Sequence, residues 1–580
     1  MNRLPLPQCK PWLYRLLLVV GGGLSVGAMS CSGESPASAP LGVAVTRMNA
    51  DDWRRETGTL MALPSSSFSP WYGRAASSAE APDVLGDLRP ALVCDLPGLY
   101  SYSVPAHVAP LRLSTAVRRI RPGEENPIRA EVFWRQGELL QSLLAVEIPG
   151  ENEAWHELQV NLPEGAGEIL FSHRFAGVGL AEQSGSPVAW SQPVLAPQAK
   201  SEQPDVILLT IDTLRADAVE HAPFLESLMN SGKRWQQAYS PSNWTLPAYA
   251  SLMTGLPPEE HGCGRGPFSA EATGEIENRS FRALGIAPTV AESMRESGYA
   301  TCMLFQNPLL ESWTGLERGF DRYLRTADRA RANHDAALQW WRANEHRARF
   351  LTLHYMAPHL PYAPPVGTSG DLAANPLDSL DPETIFELDH SPAERRAFFD
   401  LPESDRALVR KWYEADIAAM DRELEFLIGA LRASSPDCLI LIHADHGEEL
   451  WDHGSFEHGH SFDDCVIHVP LAMVRAGHIA AEQVSAPVAA HHLGTLMLEE
   501  LGIPNHLPAS ALSGAKYADT RIRSSLPLFR SETGGRELQA DGRWVDLPFA
   551  LEGSTGNPGM IDPETAARMA AMGYSGDHGD

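Results

Sequence analysis

The sequence predicts an α/β domain with a mostly parallel sheet and helices on both faces, preceded by a small β-sandwich. Three observations carry this expectation. Nearly continuous apolar runs at residues 206–211, 300–305, 350–355 and 438–444 suit strands buried on both faces. Segments with helical spacing lie between them. Upstream, between residues 88 and 198, apolar and polar residues alternate in short runs set apart by turn clusters, the pattern of half-buried antiparallel strands.

The chain has 580 residues, enough for two to four domains, and 43% hydrophobic residues can fill sizeable cores. A disordered or collagen-like chain is excluded. The formal net charge of −28 argues against a general binder of nucleic acid or anionic membrane. An anionic substrate then has to be held by a local positive centre.

Residues 1–30 carry Arg3, Lys10 and Arg15 and no acid, then a short apolar run broken by a glycine triplet. This is a secretory signal pattern, too short and glycine-rich for a comfortable membrane span. Cys31 follows Ala28-Met29-Ser30 and resembles the lipid-attachment cysteine of a bacterial lipoprotein, although Leu is expected at 28 and a smaller residue at 29. The expectation is an exported protein of the bacterial periplasm or cell envelope, whose contact with a membrane is a lipid anchor at Cys31. Ordinary cleavage that releases a soluble protein stays open. Residues 31–87, rich in Ser, Ala, Gly and Pro, read as a tether and linker. The other five cysteines in the chain past Cys9 and Cys31 show no metal-ligand spacing.

In the β-rich segment, residues 111–113, 130–134, 158–162 and 169–171 read as strands, with turns at 121–123 and 163–165. Trp134, Trp155 and Trp190 suit core or interface packing better than a carbohydrate-stacking face. The α/β domain is expected to span residues 204–505, followed by a C-terminal extension at 506–580. Helices are expected over residues 223–231, 289–297 and 413–431. The Pro- and Asp-rich stretch from Tyr362 to Asp405 interrupts the alternation, as a surface insertion or a lid.

Asp212 and Asp445 each follow an apolar run directly, and His446 follows the second. In an open parallel sheet, ligands gather beyond the carboxyl ends of strands. A lone Asp there is more often a turn former, but two carboxylates and an imidazole converging on one point make a divalent-cation site. Thr245 precedes Pro247, which fits a first helical turn, and Gly255 suits its end. A hydroxyl at a helix N-terminus is either a plain cap or, beside a bound cation, a nucleophile with its oxygen open to an incoming ester.

These residues resemble the sulfatase-like branch of the alkaline phosphatase superfamily. The matching elements are Asp212-Thr213-Leu214-Arg215-Ala216-Asp217, residues 245–255 continuing to Glu260-His261-Gly262, and His354-Tyr355-Met356-Ala357-Pro358-His359 with Pro361-Tyr362. They continue in Asp445-His446-Gly447-Glu448, His458-Gly459, His468-Val469-Pro470-Leu471 and, near the end, Met572-Gly573-Tyr574. The resemblance implies an alkaline-phosphatase-like sheet and a metal held by Asp212, Thr245, Asp445 and His446. It implies Thr245 as nucleophile, His359 touching the transferred group or leaving oxygen, and His458 placed for a second metal or for proton donation. His453 and His460 rank lower, and Arg215 reads as a structural ion pair.

Two departures refine this expectation. Formylglycine sulfatases have Cys or Ser where Thr245 stands and Arg where Tyr249 stands; oxidation of Thr would give a ketone, so formylglycine is excluded. The family's second acid at the first strand end is Thr213 here. Thr as nucleophile looks like the superfamily's phosphoethanolamine transferases and lipoteichoic acid synthases, so the chemistry leans to phosphoryl esters. One divalent ion is expected, Zn or Mn before Ca or Mg, with a second left open. The expected substrate is an anionic ester linked to glycan or lipid, cleaved by hydrolysis. The alternatives are phosphoryl transfer to an envelope lipid or glycan, and an inactive glycan-binding lipoprotein.

Overall fold

The computed structural model describes residues 45–48, 54–55, 69–73 and 84–505, apart from 97, 108–109, 121–125, 151–153, 177–184, 200, 266–280, 328–330, 366–371 and 381–395. It further describes residue 507 and four short strands between 522 and 558. The leader, Cys31, the turn at 121–123 and the motif at 572–574 lie outside the described residues. Among the described residues no helix is long and apolar enough to cross a membrane.

The chain divides into two compact units, one of Met1–Ser78 with Arg89–Lys200 and one of Ala79–Leu88 with Ser201–Asp580. In the first unit, Gly98–Val104, Gly167–Phe175, Ile128–Gln136 and Leu139–Ile148 form antiparallel neighbours in that order. A second antiparallel set joins Val194–Pro197, Leu111–Arg119 and Gly185–Ser191, with His156–Asn161 against Leu111–Arg119. Residues of both sets share one core, including Tyr100, Val132, Ile169, Val117, Val188 and Leu195. Trp134 and Trp190 are buried in it. The partly exposed Trp155 ring has the guanidinium groups of Arg89 and Arg118 at 5.1 and 5.7 Å.

Within residues 31–87, read as a tether, Thr46–Arg47 pairs with residues 194–195, Arg54–Arg55 with residues 100–101, and Ser69–Gly73 joins a sheet as a strand. Strands of two to five residues contain too little alternation to stand out in a Ser- and Pro-rich background.

The second unit is a mixed α/β structure. Its elements in chain order are β1 (Val206–Ile211), α1 (Pro223–Asn230), β2 (Lys233–Trp235), α2 (Thr245–Thr254), α3 (Val290–Glu296), β3 (Ala300–Phe305) and β4 (Arg322–Thr326). Then come α4 (Ala332–Ala343), β5 (Arg349–Tyr355), α5 (Glu403–Ser434), β6 (Leu439–Ala444), β7 (Leu471–Val474), β8 (Glu482–Val484) and α6 (Leu493–Leu501). The sheet order is residues 84–88, β4, β3, β5, β1, β6, β7, β2, β8. From β4 to β6 every pairing is parallel; β7 and residues 84–88 run antiparallel to their neighbours. β1, β3, β5 and β6 are buried along their whole length, in keeping with their nearly continuous apolar runs.

The helices pack in two groups: α1 and α4 against α5, and α3 and α6 with α2. Val290–Glu296 starts with a complete capping box between Thr289 and Glu292. The Asp421 carboxylate of α5 accepts from the backbone N–H groups of Phe224 and Leu225, each at 2.9 Å, and so caps α1 from outside its own sequence. α5 is longer than the stretch expected at 413–431, because its first turns are mostly polar and add little to the apolar stripe. At the amino edge of the sheet, Arg349 and Asp205 form a buried ion pair, with Arg349 Nε donating to Asp205 Oδ1 at 2.9 Å. Ser435 donates to the same carboxylate, and Arg349 lies 3.9 Å from the Trp341 ring centre.

Candidate active site

The register of the central strands sets the site. Ile211 of β1 pairs with Tyr355 of β5 on one side and Ala444 of β6 on the other. Asp212 and Asp445 therefore leave the carboxyl edge at the same level. Side chains two residues apart share a face of a strand, and Thr210 pairs with both His354 and His443. Those two imidazoles consequently belong to the face from which the two carboxylates emerge.

Asp212, Asp445 and His446 each offer a ligand atom, all within 4.8 Å of one another. His446 Nε2 lies 3.5 Å from Asp212 Oδ1 and 3.7 Å from Asp445 Oδ2. His446 Nδ1 donates to the Gly447 carbonyl at 2.9 Å, which fixes the tautomer and leaves the Nε2 lone pair toward the carboxylates. Gly447 is required here, since a Cβ on it would come 2.2 Å from the Cys465 carbonyl oxygen.

Thr245 opens α2. Trp244, in extended conformation, is its N-cap, and Thr245 Oγ1 lies 3.3 Å from His446 Nε2. Asn307 Nδ2 donates to Asp212 Oδ2 at 2.8 Å and to Thr245 Oγ1 at 3.2 Å, while its own Oδ1 accepts from the Leu309 N–H at 2.9 Å. Asp212, Asp445 and His446 thus lie in one cluster, with Thr245 Oγ1 against His446 and Asn307. Thr245 is 0% exposed, however, whereas the sequence reading wanted its oxygen open to an incoming ester. Its hydroxyl sits against His446 and Asn307, and His359 and His458 are buried as well, at 3% and 8% exposure.

His354 Nε2 lies 3.7 Å from Asp212 Oδ2 and 4.0 Å from Asp445 Oδ2, and its ring meets Tyr249 edge-on at 6.0 Å between centres. Tyr249, one helical turn beyond Thr245, turns its hydroxyl to Met303 Sδ. Burial, then the charge of Asp445, pushes that phenol well above its ordinary range. For Asp445, burial opposes ionisation, but His446, His354 and His443 together hold its carboxyl below the usual carboxylate range. Asp445 Oδ2 has no hydrogen-bond partner among the described residues. A buried carboxylate oxygen without a donor is costly unless a cation faces it, so the donor set fits a divalent ion.

His359 and His458 stand beside this cluster. The His458 ring lies 4.4 Å from His446 and 5.1 Å from His359, centre to centre. His359 Nδ1 donates to the Leu360 carbonyl at 2.6 Å, and burial, with His458 alongside, pushes its pKa down to about 3. His458 Nδ1 lies 2.9 Å from Glu448 Oε1, and Tyr362 donates to Glu448 Oε2 at 3.2 Å. His460 pairs with Glu449 at 2.8 Å. Glu449 Oε1 also accepts the backbone N–H of His453, so this pair braces the loop. Arg215 binds Asp217 of its own motif and Asp452 outside it, each at 2.7 Å.

Thr213, in place of a second acid, is buried with φ of 55°, and its carbonyl accepts from Tyr413 of α5 at 2.8 Å. Sequence reasoning gave no role to Asn307 or His354. Asn307 stands two residues past the apolar run 300–305, one beyond Gln306, so the rule that singled out Asp212 and Asp445 as the first polar residues after such runs passes it by.

A family model described as Sulfatase matches residues 204–503. Among solved structures similar to this chain are two phosphonate monoester hydrolases. The one from Silicibacter pomeroyi is 21% identical over 63% of this chain and 93% of that chain, with a TM-score of 0.43. The one from Agrobacterium radiobacter is 18% identical over 60% and 89%, with a TM-score of 0.42. A 2-O GAG sulfatase is 15% identical over 58% and 81%, with a TM-score of 0.44. No curated protein matches the chain.

Proposed function

Because the chain belongs to the sulfatase family of the alkaline phosphatase superfamily, and is thereby a hydrolase of sulfuric or phosphoric esters, we propose that Thr245 is its nucleophile in a threonine variant of that family. The observation that carries this is the position of Thr245 Oγ1 at the start of α2, within reach of His446 Nε2 and Asn307 Nδ2. Asp212, Asp445 and His446, with Thr245 itself, would hold one divalent ion, and the carboxylate and imidazole donors favour Zn or Mn. Such an ion would supply positive charge that favours transfer of the hydroxyl proton to a water entering with the ester, and would screen the negative ester.

The remaining steps belong to side chains. Thr245 Oγ1 attacks phosphorus or sulfur while the N–H groups at the start of α2 and the Asn307 amide face the growing charge. His359, held neutral by burial with its Nδ1–H on the Leu360 carbonyl, meets the transferred group or the leaving oxygen through Nε2, whose lone pair takes a hydrogen bond only from a protonated oxygen there. His458 gives a proton to the leaving oxygen as its bond to phosphorus or sulfur breaks. It takes one back from the water that releases the Thr245 adduct. The substrate is an anionic ester carried by a glycan or lipid, phosphoryl before sulfuryl, and the protein is exported, with a lipid anchor at Cys31. The first unit is read as an accessory β-sandwich. The test is a panel of aryl phosphate, phosphonate and sulfate esters with wild type and Thr245→Ala after metal analysis. Undiminished turnover by Thr245→Ala refutes the nucleophile.

A further inference from the structure

Glu448 has a place in the site that neither the family match nor the roles above assign. It stands two residues after His446, is 0% exposed, and uses both carboxylate oxygens on neighbours: Oε1 meets His458 Nδ1 at 2.9 Å and Oε2 accepts from Tyr362 at 3.2 Å. Its backbone is held as well, since Arg215 Nη1 donates to the Glu448 carbonyl at 3.2 Å. Tyr362 is fixed in turn against Tyr413, ring centres 5.5 Å apart, and Tyr413 binds the Thr213 carbonyl beside Asp212.

We propose that Glu448, oriented by Tyr362, is a positioning residue that keeps one hydrogen of His458 on Nδ1, so that a second, on Nε2, faces the leaving oxygen and is the one given up, leaving the neutral ring with its hydrogen on Nδ1. The inference rests on the reading of His458 as the proton donor. Its physical basis is that a carboxylate can only accept, so the ring nitrogen facing it must be N–H, and the hydrogen bond at one nitrogen decides what the other presents. An imidazole with both oxygens of its partner committed cannot swing to bond elsewhere without breaking a buried charge-assisted contact. Proton donation to a leaving group matters most when that group is a poor one. Losing the orientation of His458 therefore has a signature that loss of fold does not.

The experiment compares Glu448→Gln, Tyr362→Phe and His458→Gln with wild type on phenyl and 4-nitrophenyl esters of the acid that wild type cleaves best. Glu448→Gln is expected to lower kcat on the phenyl ester about 10- to 100-fold and on the 4-nitrophenyl ester less than about 3-fold, with KM and bound metal unchanged. Tyr362→Phe, which removes one hydrogen bond, shows the same split at a few-fold and serves if Glu448→Gln does not fold. In His458→Gln the second change Glu448→Gln has no further effect. Equal losses on both esters, losses that follow metal content, or additive losses in the double variant overturn the proposal. A second measurement does not need turnover: ¹⁵N spectra of labelled histidine, with the His458 signal assigned from His458→Gln, are expected to show hydrogen on Nδ1. A wild-type His458 bare at Nδ1 overturns the proposal even if neither ester is cleaved. Retained turnover in Thr245→Ala, by contrast, strikes the nucleophile and leaves this result standing.

Discussion

Asn307 spans Asp212 and Thr245 with a single amide nitrogen, 2.8 Å from the carboxylate and 3.2 Å from the hydroxyl. The same side chain is locked through its oxygen on the Leu309 N–H. A donor so fixed cannot follow the hydroxyl, so the hydroxyl must stay where the amide points. Asn307→Ala is expected to lower kcat about 100-fold with little change in thermal stability, as for removal of one preorganised donor. Steady-state kinetics together with a melting curve checks this. Unchanged kcat would remove Asn307 from the site.

Thr245→Ala is expected to lose about 1,000-fold or more in kcat, and Thr245→Ser to keep most of it, because a hydroxyl at the start of α2 is all the chemistry needs. Trapping the adduct by mass spectrometry in Thr245→Ser places it on residue 245.

Asp445→Asn removes the charge from an oxygen that has no hydrogen-bond donor among the described residues. The purified variant is expected to hold less metal than wild type by elemental analysis, whether or not a substrate is known.

Arg349→Ala leaves the Asp205 carboxylate buried with Ser435 and a backbone N–H but no countercharge. The second unit is expected to lose about 3–5 kcal/mol, read by chemical denaturation, with ester hydrolysis per folded molecule unchanged.

His261 accepts through Nδ1 from the Cys263 N–H, lies 2.9 Å from Ser251 through Nε2, and is pushed by burial down to about 3. The unfolded chain takes up a proton near 6.5 that the folded one refuses. Its contribution to stability is complete above about pH 6.5 and is lost as the pH falls from there toward 3. His261→Gln is expected to flatten the acid side of the stability curve in that window, measured by denaturation at several pH values.

The strands at 206–211, 300–305, 350–355 and 438–444 were readable because a strand buried on both faces must be mostly apolar, a demand visible in six or seven consecutive residues with no more than two polar ones. Asp212 and Asp445 were readable for the same reason, as the first polar residues after such runs. The short strands inside residues 31–87 were not, since their pairing satisfies backbone groups and asks little of the side chains. The N-terminal turns of α5 escaped notice because they are polar, and a helix there leaves no apolar stripe to find.

Asn307, His354 and the bond between Glu448 and His458 belong to another kind of information. The amino-acid order alone determined the fold class, the edge of the sheet where chemistry gathers, and the residue types able to hold a cation and attack an ester. The folded chain decided which of these meet. Ile211 is in register with both Ala444 and Tyr355, so residues over two hundred positions apart leave the sheet at one level. It also decided that Thr245 lies beneath its neighbours rather than open to solvent. Registry between distant strands is set by packing of whole faces, and no local stretch of sequence contains it.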